Sequence, residues 1–416
     1  MARLVFHIDV NSAFLSWEAA RRVAAGEPDL RLVPSAIGGD RNKRTGVILA
    51  KSVPAKKYGI RTGEPVGMAL RKCPELVLVP SDFRLYVQNS KAFMDICRRY
   101  APVVEKYSID ECFLDMSGTE YIYPDPVALA YEIKDTIHRE LGFTVNVGVA
   151  GNKLLAKMAG DLEKPDRVHT MFPGEIRSKM WPLPVRDLFT VGASTAHRLE
   201  QAGIMTIGQL AQTELSRVQR LVGEKQGLQI YRFANGIDDT PVSDVPEEAK
   251  GFSISTTLEE DVTGRTEACR ILLTLADTVS ARMRAETAKA WCIGVTIRSN
   301  DFRDRAHQRT LDAPTDITDE IYEVSCRLFD ELWDRRTPLR LIGIALTQIT
   351  REETEQLSLF DSPDRERARK RDRTVDVLRG KFGPETIRRG TALEQPMNAG
   401  QKYKAQLEQK KMSRIK

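Results

Sequence analysis

The stretch Tyr107-Ser108-Ile109-Asp110-Glu111-Cys112-Phe113-Leu114-Asp115 decides how the rest of the sequence is interpreted. Its two adjacent acids, Asp110 and Glu111, precede a short apolar run that is typical of a buried strand. Adjacent residues of a regular strand point to opposite faces, so both acids can serve one site only at a strand end or a tight turn. Carboxylates are costly to bury unless they are paired or bound to a metal. The alternative is two solvated acids in a turn.

A second strand signal ends on an acid at the amino terminus. The apolar run from Leu4 to Ile8 leads into Asp9, and a helical pattern follows. Three carboxylates from two strand ends, in a set that we expect to contain no His or Cys, suit a hard cation such as Mg2+. The ligand set therefore suggests two-metal phosphoryl transfer.

Composition sets the outer bounds. A chain of 416 residues suggests about three or four domains. Hydrophobic residues make up 41% of the chain, which is ample for globular packing, and the formal net charge is +5. This mildly basic balance permits a nucleic-acid partner without requiring one.

The cysteine pattern and the amino terminus indicate a reducing, intracellular setting. No C-x-x-C pair occurs, which argues against zinc and against a disulfide framework, so we expect core residues at most of the six positions, Cys73, Cys97, Cys112, Cys269, Cys292 and Cys326. The chain starts with a strand pattern instead of a signal peptide, and no apolar run approaches about 18 residues. We therefore expect a soluble protein.

Five stretches together carry a family resemblance that no single motif would justify. They are HIDVNSAF, AIGGDRNKRTGVILAKSVPAKKYGI, GMALRKCPELVLVPSDFRLY, YSIDECFLDMSG and GNKLLAKMAGDLEKP. In this order they resemble the Y-family translesion DNA polymerases, and the match covers residues 1–350. The resemblance implies a multidomain α/β and α+β fold shaped as a right-hand polymerase, with a ferredoxin-like palm, small fingers, a helical helix-hairpin-helix thumb and a mixed α/β little finger.

Domain boundaries follow from the strand and helix signals together with the resemblance. Strand signals and two helical patterns predict a palm with a ferredoxin-like mixed sheet and helices on one face. The helices that follow fit a thumb, and a Pro-rich acidic stretch reads as a linker. The expected domains are the palm (1–10 and 78–167), fingers (11–77), thumb (168–235), linker (236–250), little finger (251–350) and a charged tail (351–416).

The resemblance also assigns the metal site. We expect Asp9 and Asp110 to bridge two Mg2+ ions and Glu111 to bind the ion on the primer-hydroxyl side, which makes these three acids the catalytic carboxylates. Val10 would add its backbone carbonyl, and Mn2+ is expected to substitute. Asp115, on the same strand as Glu111, is interpreted as structural.

Nucleotide contacts are expected along the segment after Asp9. The resemblance places Asn11, Ser12, Ala13 and Phe14 beside the incoming nucleotide and makes Phe14 a steric gate, because a ribose 2'-hydroxyl would collide with its ring. The alternative is that Phe14 is a core residue. Lys157 matches the family's triphosphate-binding lysine, near a helix start that offers free N–H groups to phosphate.

The fingers depart from the family pattern. Thr, Tyr and Arg usually contact the triphosphate where this chain has Ala50, Val53 and Lys56. Lys56 keeps the charge but loses the bidentate fork of arginine. We expect weaker nucleotide binding, or compensation by Lys51 or Lys57.

DNA contacts are expected in two places. The segment around Gly192 and Ala193 resembles a helix-hairpin-helix, which aims backbone N–H groups at a DNA phosphate, although Thr190 stands where the family has its first glycine. A strand-turn-strand in the little finger carries four candidate phosphate contacts, Arg298, Arg303, Arg305 and Arg309.

The tail contains an abrupt apolar cluster. Gln356-Leu357-Ser358-Leu359-Phe360 resembles the bacterial sliding-clamp binding peptide, with Gln356, Leu357, Leu359 and Phe360 as its contact residues. A clamp tether raises the effective concentration at the primer end. The charged segment from Arg365 predicts a solvated helix through Leu378.

Two functions remain open on the sequence alone. The first is a template-dependent, low-fidelity DNA polymerase that acts on primed template DNA and deoxynucleotides as a monomer in the bacterial cytoplasm, near the nucleoid, without proofreading. The second is a catalytically weak or inactive scaffold held at lesions by the clamp. The three acids favour the enzyme, whereas Ala50 and Val53 favour the scaffold.

Overall fold

Alternating apolar residues make Val5–Val10 the central strand of the first sheet, because Phe6, Ile8 and Val10 are buried on one face while Val5 joins a second core on the other. The computed structural model describes residues 3–39, 46–245, 247–351, 363–384, 386, 387 and 389. These fall into two units, which meet in sequence at residues 246 and 247.

The first unit alternates strands and helices before it becomes helical. Its elements are β1 (Val5–Val10), α1 (Ala13–Ala24), β2 (Ser35–Gly38), β3 (Ile48–Lys51), α2 (Val53–Lys57), α3 (Val66–Lys72), β4 (Val77–Val79), α4 (Phe83–Cys97), β5 (Val103–Lys106), β6 (Glu111–Asp115), α5 (Pro126–Leu141), β7 (Val145–Ala150), α6 (Lys153–Gly160), β8 (Val168–Met171), α7 (Ala193–Gln201), α8 (Ile207–Gln212), α9 (Leu215–Val222) and α10 (Glu224–Ala234).

The large sheet confirms the ferredoxin-like prediction. Its five strands are ordered β5-β6-β1-β7-β8, and the first four have the ferredoxin-like order. β8 adds a parallel fifth strand to β7, so the sheet extends past residue 167, where we had expected the palm to end and helices to begin. A smaller sheet, ordered β3-β2-β4, is formed mostly by the predicted fingers, but β4 (Val77–Val79) continues two residues past the expected boundary at residue 77.

The two helices predicted beside the large sheet, α4 and α5, lie on one face as expected, but a further helix covers the other face. α1, α4 and α5 contribute to the core that contains Phe6 and Ile8, but α6 packs in the core on the opposite face with Val5. A Cβ atom at Gly148 of β7 would lie 1.9 Å from the Ala156 carbonyl oxygen of α6. Glycine is therefore required for α6 to approach the sheet this closely.

Part of the predicted linker belongs to the first unit. Val242 is buried, the Ser243 amide donates to Glu105, and the Asp238 carboxylate accepts from the Leu154 amide at the start of α6. Asp238 thus caps the start of α6 and the Ser243 amide bonds to β5, contacts that the absence of an apolar period could not show.

The second unit is a four-stranded antiparallel sheet with helices. Its elements are β9 (Gly251–Val262), α11 (Arg265–Ala285), β10 (Lys289–Ser299), β11 (Asp304–Thr315), α12 (Thr318–Leu332), β12 (Leu339–Thr350) and α13 (Pro363–Phe382). The strand-helix order repeats that of the large sheet, as predicted, but the strands are arranged differently, as β11-β10-β12-β9.

The tail helix α13 is not the solvated helix that its mixed charges predicted. Arg284 of α11 is 5% exposed and pairs with Asp372 and Asp376 of α13 at 3.5 and 2.6 Å. Asp372 also accepts from the Thr318 amide, 2.8 Å away, at the start of α12. It thereby caps a helix whose own preceding residue, Ile317, has no capping side chain.

Five of the six cysteines are buried, and all six thiols are free. No helix in the described parts of the chain is both long and apolar enough to span a bilayer.

We predict that the double substitution Asp372→Asn/Asp376→Asn destabilises the second unit, because Arg284 then stays buried without either carboxylate. Breaking a buried ion pair from one side costs about 3–5 kcal/mol. Amide hydrogen exchange in α11 and α12 of the full chain measures the loss. Asp364→Asn, on the exposed first turn of α13, is the matched control; equal protection in the two variants would contradict the structural role of the pairs.

Candidate active site

Two of the predicted catalytic acids face each other across the β1–β6 ladder. Asp9 is the antiparallel partner of Glu111, and directly opposed residues lie on the same face of a sheet. Their side chains are 13% and 21% exposed. Like charges directly opposed destabilise a strand pair unless something compensates them. The surroundings of this pair therefore decide what the site can do.

Asp110 lies in the turn before β6, as the strand-end argument required. Its backbone carbonyl accepts from the Val10 amide at 3.0 Å, and its carboxylate accepts from the Ser108 hydroxyl at 2.7 Å. The three acids thus lie along one end of the β1–β6 ladder. Nowhere in the described parts of the chain do three His, Cys, Asp or Glu side chains converge closely enough to hold a metal ion.

Glu111 is held by a lysine and a histidine, and the expectation of a site without histidine was wrong. Lys157 Nζ donates to its Oε2 at 2.7 Å, and His7 Nε2 lies 3.3 Å from the same oxygen. Burial alone would raise the pKa of Glu111, but hydrogen bonds from His7 and Lys157 outweigh it and lower the pKa to about 2. Burial lowers the pKa of His7, so a neutral imidazole donates from Nε2.

Asp9 has its own cation. Lys164 Nζ donates to Asp9 Oδ2 at 2.6 Å and also contacts Asp161 at 2.8 Å. Burial raises the pKa of Asp9 above its ordinary value, against the opposing charge of Lys164. Each carboxylate of the pair is therefore matched by one ammonium group. The oxygen donors of this pair are of the kind that a divalent cation such as Mg2+ prefers.

The segment after β1 is a tight, anchored turn. The Asn11 side chain donates to Asn146 at 2.9 Å and accepts from the Thr144 hydroxyl and the Asp166 amide, so its polar atoms are engaged within the protein. Ser12 has φ 49 and ψ 47, a left-handed conformation that is uncommon outside glycine. Its side chain is exposed and makes no capping bond, and Ala13, the first residue of α1, is buried.

Phe14 is half-buried in an aromatic cluster. Its ring stacks on Tyr86 at a centroid distance of 4.4 Å and an interplanar angle of 10°, and it contacts Trp17 and Phe83 at wider angles. Burial raises the pKa of Tyr86 to about 12. One face of Phe14 is thus fixed against the core while the side chain keeps partial exposure, so it is both a packing residue and a candidate gate.

The fingers carry Ala50, Val53 and Lys56 at the three positions where the resemblance led us to expect Thr, Tyr and Arg. Ala50 is buried in β3, whereas Val53 at the start of α2 is 53% exposed. Lys56 is exposed on α2. Lys51 donates to Thr62 at 3.1 Å, and burial together with the nearby charge of Lys56 lowers its pKa. Two ammonium groups therefore lie close together here.

Comparisons with known proteins support this architecture. Residues 8–161 match the impB/mucB/samB family, residues 249–359 match the impB/mucB/samB family C-terminal domain, and residues 186–238 match the description "DNA polymerase-iota, thumb domain". DNA polymerase IV of Clostridium acetobutylicum is 42% identical over 95% of this chain and 99% of its own length. DNA polymerase IV 1 of Bacillus subtilis (strain 168) is 34% identical over 94% of each chain.

The chain belongs to the Y family of DNA polymerases. A solved Y-family DNA polymerase chimera shares the fold, with a TM-score of 0.72 and 23% identity over 84% of this chain and all of that one. The protein is therefore a DNA-directed DNA polymerase with a template and nucleotides as substrates, in a family that performs translesion synthesis and generally needs divalent metal ions.

The hairpin that we expected in the polymerase thumb lies before α7. Gly192 precedes this helix and Ala193 begins it. Thr190, at the position of the family's first glycine, has φ 73. The backbone therefore keeps the left-handed conformation that glycine favours, although a β-branched residue occupies it.

Two of the four arginines expected to bind DNA lie on the helical side of the β11 edge. Arg305 pairs in register with the buried Ile297, so it shares the face that packs against α12. Arg305 lies 3.9 Å from Asp334, and Arg309 lies 2.6 Å from Glu331 at the end of α12. Both lie beside carboxylates of their own unit, and Arg309 is the one that makes a close ion pair.

The other two arginines lie near the β10–β11 turn. Arg298 makes a bidentate pair with Asp304 at 2.5 and 2.8 Å, on the face opposite to that of Arg305. Arg303 lies 3.1 Å from Asp301. The structure thus separates the four predicted phosphate contacts onto different faces. The predicted clamp peptide, Gln356–Phe360, lies outside the described residues.

Sequence reasoning missed His7 and Lys164. The sequence contained evidence for both residues. His7 and Asp9 are two residues apart and so lie on the same face of β1, and Lys164 lies inside the quoted stretch GNKLLAKMAGDLEKP. Strand parity would have placed His7 beside the acids.

Thr190→Gly tests whether the thumb hairpin is strained. Glycine adopts the left-handed conformation without strain, which stabilises the folded state, but it also increases the entropy of the unfolded chain. We expect the relief of strain to dominate and the free energy of unfolding to rise by about 1 kcal/mol. Thermal unfolding measures this change. Ser194→Gly, an exposed position within α7, is the control and should destabilise instead. A stability loss in Thr190→Gly would refute strain at this position.

Proposed function

We propose that Asp9, Asp110 and Glu111 bind two Mg2+ ions that serve nucleotide transfer to a primer 3'-hydroxyl, with Val10 contributing its backbone carbonyl. Mn2+ would substitute, since it accepts the same oxygen ligands. The observation that supports this proposal is the pair of facing carboxylates, Asp9 and Glu111, each of which accepts a hydrogen bond from a lysine ammonium group. The bound ions would lower the pKa of the attacking hydroxyl and stabilise the developing charge of the triphosphate.

Residues of the chain would do the positioning. Lys157 is at hydrogen-bonding distance from Glu111, and it would exchange this carboxylate for a triphosphate oxygen when the site is loaded. Its ammonium also lies 5.6 Å from the ring centroids of Tyr107 and Phe189. The two rings would therefore limit the directions in which this ammonium can move. His7 would keep Glu111 oriented with a neutral hydrogen bond that adds no charge.

The fingers would hold the triphosphate mainly by charge. Lys56 replaces the bidentate arginine, and Lys51 lies near enough to share the task. Both act as point charges, so the grip on each phosphate is less directional than that of a guanidinium group. The turn formed by Asn11, Ser12 and Ala13 would contact the nucleotide. The side-chain amide of Asn11 would not take part, because it is engaged within the protein.

The remaining surfaces would grip DNA without reading its sequence. The hairpin at Gly192 and Ala193 and the arginines Arg298, Arg303, Arg305 and Arg309 would contact phosphates, although the arginines must first exchange their carboxylate partners. Gln356, Leu357, Leu359 and Phe360 would bind the sliding clamp and so raise processivity. The protein would act as a low-fidelity, non-proofreading monomer in the bacterial cytoplasm, associated with the nucleoid.

Primer extension on a primed template with Mg2+ and all four deoxynucleotides tests the metal assignment. We expect Asp110→Ala/Glu111→Ala to reduce extension by at least about 1000-fold, because metal-ion stabilisation of the transition state is worth several kcal/mol. DNA binding should persist. Asp115→Asn, on the same strand, is the matched control and should extend normally.

If the native protein binds primed DNA yet adds no nucleotide, even with Mn2+, the catalytic proposal fails. The scaffold function would then replace it, and the missing hydroxyl donors at Ala50 and Val53 would be its structural explanation. If Asp115→Asn is as inactive as the double variant, the loss is a folding effect and the metal assignment is not supported.

Phe14→Ala tests the steric gate. Removing the ring should raise the incorporation of ribonucleotides relative to deoxynucleotides by roughly 10- to 100-fold, because rejection by collision is lost. Single-nucleotide kinetics with both sugars provide the ratio. Phe83→Ala removes another ring of the same aromatic cluster and serves as the control. A similar change in both variants would indicate general loosening of the cluster.

A further inference from the structure

The tail helix α13 has two faces of different character. Its inward face is fixed to the second unit by ion pairs whose distances lie between 2.6 and 3.5 Å, including Arg284–Asp372, Arg284–Asp376, Arg369–Asp316, Arg371–Asp319 and Arg379–Asp277. Asp372 and Asp376, the two acids in the second half of the helix, both form ion pairs with Arg284 of the second unit. α13 therefore packs as a part of the second unit.

The outward face is a basic stripe, which we define as Arg367, Lys370, Thr374, Val377 and Lys381. These residues recur at intervals of three and four, so they lie on one side of a helix, and all five are exposed. Three of them are cations, and Val377 is the one apolar member. The stripe spans about 21 Å at the helical rise of about 1.5 Å per residue.

Within α13, acids oppose the charge of the stripe only near the start of the helix. Glu366 lies 2.8 Å from Lys370, where both side chains are largely exposed, and such surface pairs are weak. Asp364 is the other acid of the first turn. Because Asp372 and Asp376 point inward, α13 places no acid near Lys381.

A cleft of mixed charge lies along one flank of α13. It has a volume of about 600 Å3, and both cations and acids line it, among them Val377, Arg373, Lys289, Arg351, Asp316 and Asp376. Val377 belongs to both the stripe and the cleft, so the two surfaces are continuous. Arg351 is the residue that immediately follows β12, and it pairs with Glu248 and Glu286.

We propose that the basic stripe of α13 binds the phosphate backbone of duplex DNA. A cationic line on a fixed helix suits a regular polyanion, and duplex DNA carries one charge per about 1.7 Å of its axis. A protein partner is less suited, because interface cores rely on aromatic and aliphatic anchors and the stripe offers Val377 alone. The proposal rests on the family membership of the chain and not on the metal assignment.

Salt-dependent binding tests the proposal. The variant Arg367→Gln/Lys370→Gln/Lys381→Gln keeps good helix formers at each position. Fluorescence anisotropy with an unprimed 30-base-pair duplex, run from about 50 to 200 mM salt, gives the slope of log K against log salt. Each lost phosphate contact should reduce the slope by about 0.9, so we expect a decrease of roughly 2 to 3 and weaker binding throughout.

A matched control removes three cations elsewhere. Lys91→Gln/Arg98→Gln/Arg139→Gln changes exposed residues of α4, of the position that immediately follows it, and of α5, and should leave the slope within about 0.5 of the native value. Primer extension at low salt and saturating DNA should be unchanged in the stripe variant, which separates failure of this proposal from failure of the catalytic one.

The proposal is overturned by either of two results. One is a slope in the stripe variant equal to that of the native protein or lowered equally in the control. The other is unchanged DNA binding together with lost binding to poly-L-glutamate, which would identify an acidic polypeptide as the partner. Hydrogen exchange across α13 confirms that the helix stays docked in the variant.

Discussion

Two half-buried carboxylates that face each other across a strand pair constrain much of the first unit. Asp9 and Glu111 repel each other, and the fold compensates with Lys164, Lys157 and a neutral imidazole from His7. Lys157 can reach Glu111 only because α6 lies against the sheet, and that approach requires a residue without a side chain at Gly148. The ion pair between Lys157 and Glu111 of β6 therefore depends on a glycine in β7.

The same close approach shapes the environment of His7. A Cβ atom at Gly160 of α6 would lie 3.1 Å from His7 Nδ1, and this nitrogen has no hydrogen-bond partner in the described parts of the chain. The imidazole is packed between Gly160 and the Phe113 ring, whose centroid is 4.8 Å away. A charged imidazole would be unfavourable there, so the hydrogen bond to Glu111 orients the acid without titrating it near neutral pH.

The sequence predicted the sheet and its acids better than their partners. Strand ends at Asp9 and before Glu111 followed from local patterns, and the ferredoxin-like order was expected from the alternation of strands and helices. Lys164 is 155 residues from Asp9 in the chain, and no local pattern reports such a pairing. The prediction of a solvated α13 was wrong for the same reason. Mixed charges along a helix indicate solvent exposure, and the sequence does not show that Arg284, Asp277 and Asp316 face this helix.

The turn between β1 and α1 couples the candidate metal site to the candidate sugar gate. Only four residues separate Asp9 from the aromatic stack of Phe14, and Ser12 completes this short connection in a left-handed conformation. Such strain persists only where the surroundings over-determine it. Here Asn11 supplies the restraint, since its side chain bonds to Asn146, Thr144 and the Asp166 amide. We therefore expect a change in this anchor to move the Asp9 carboxylate and the Phe14 ring together.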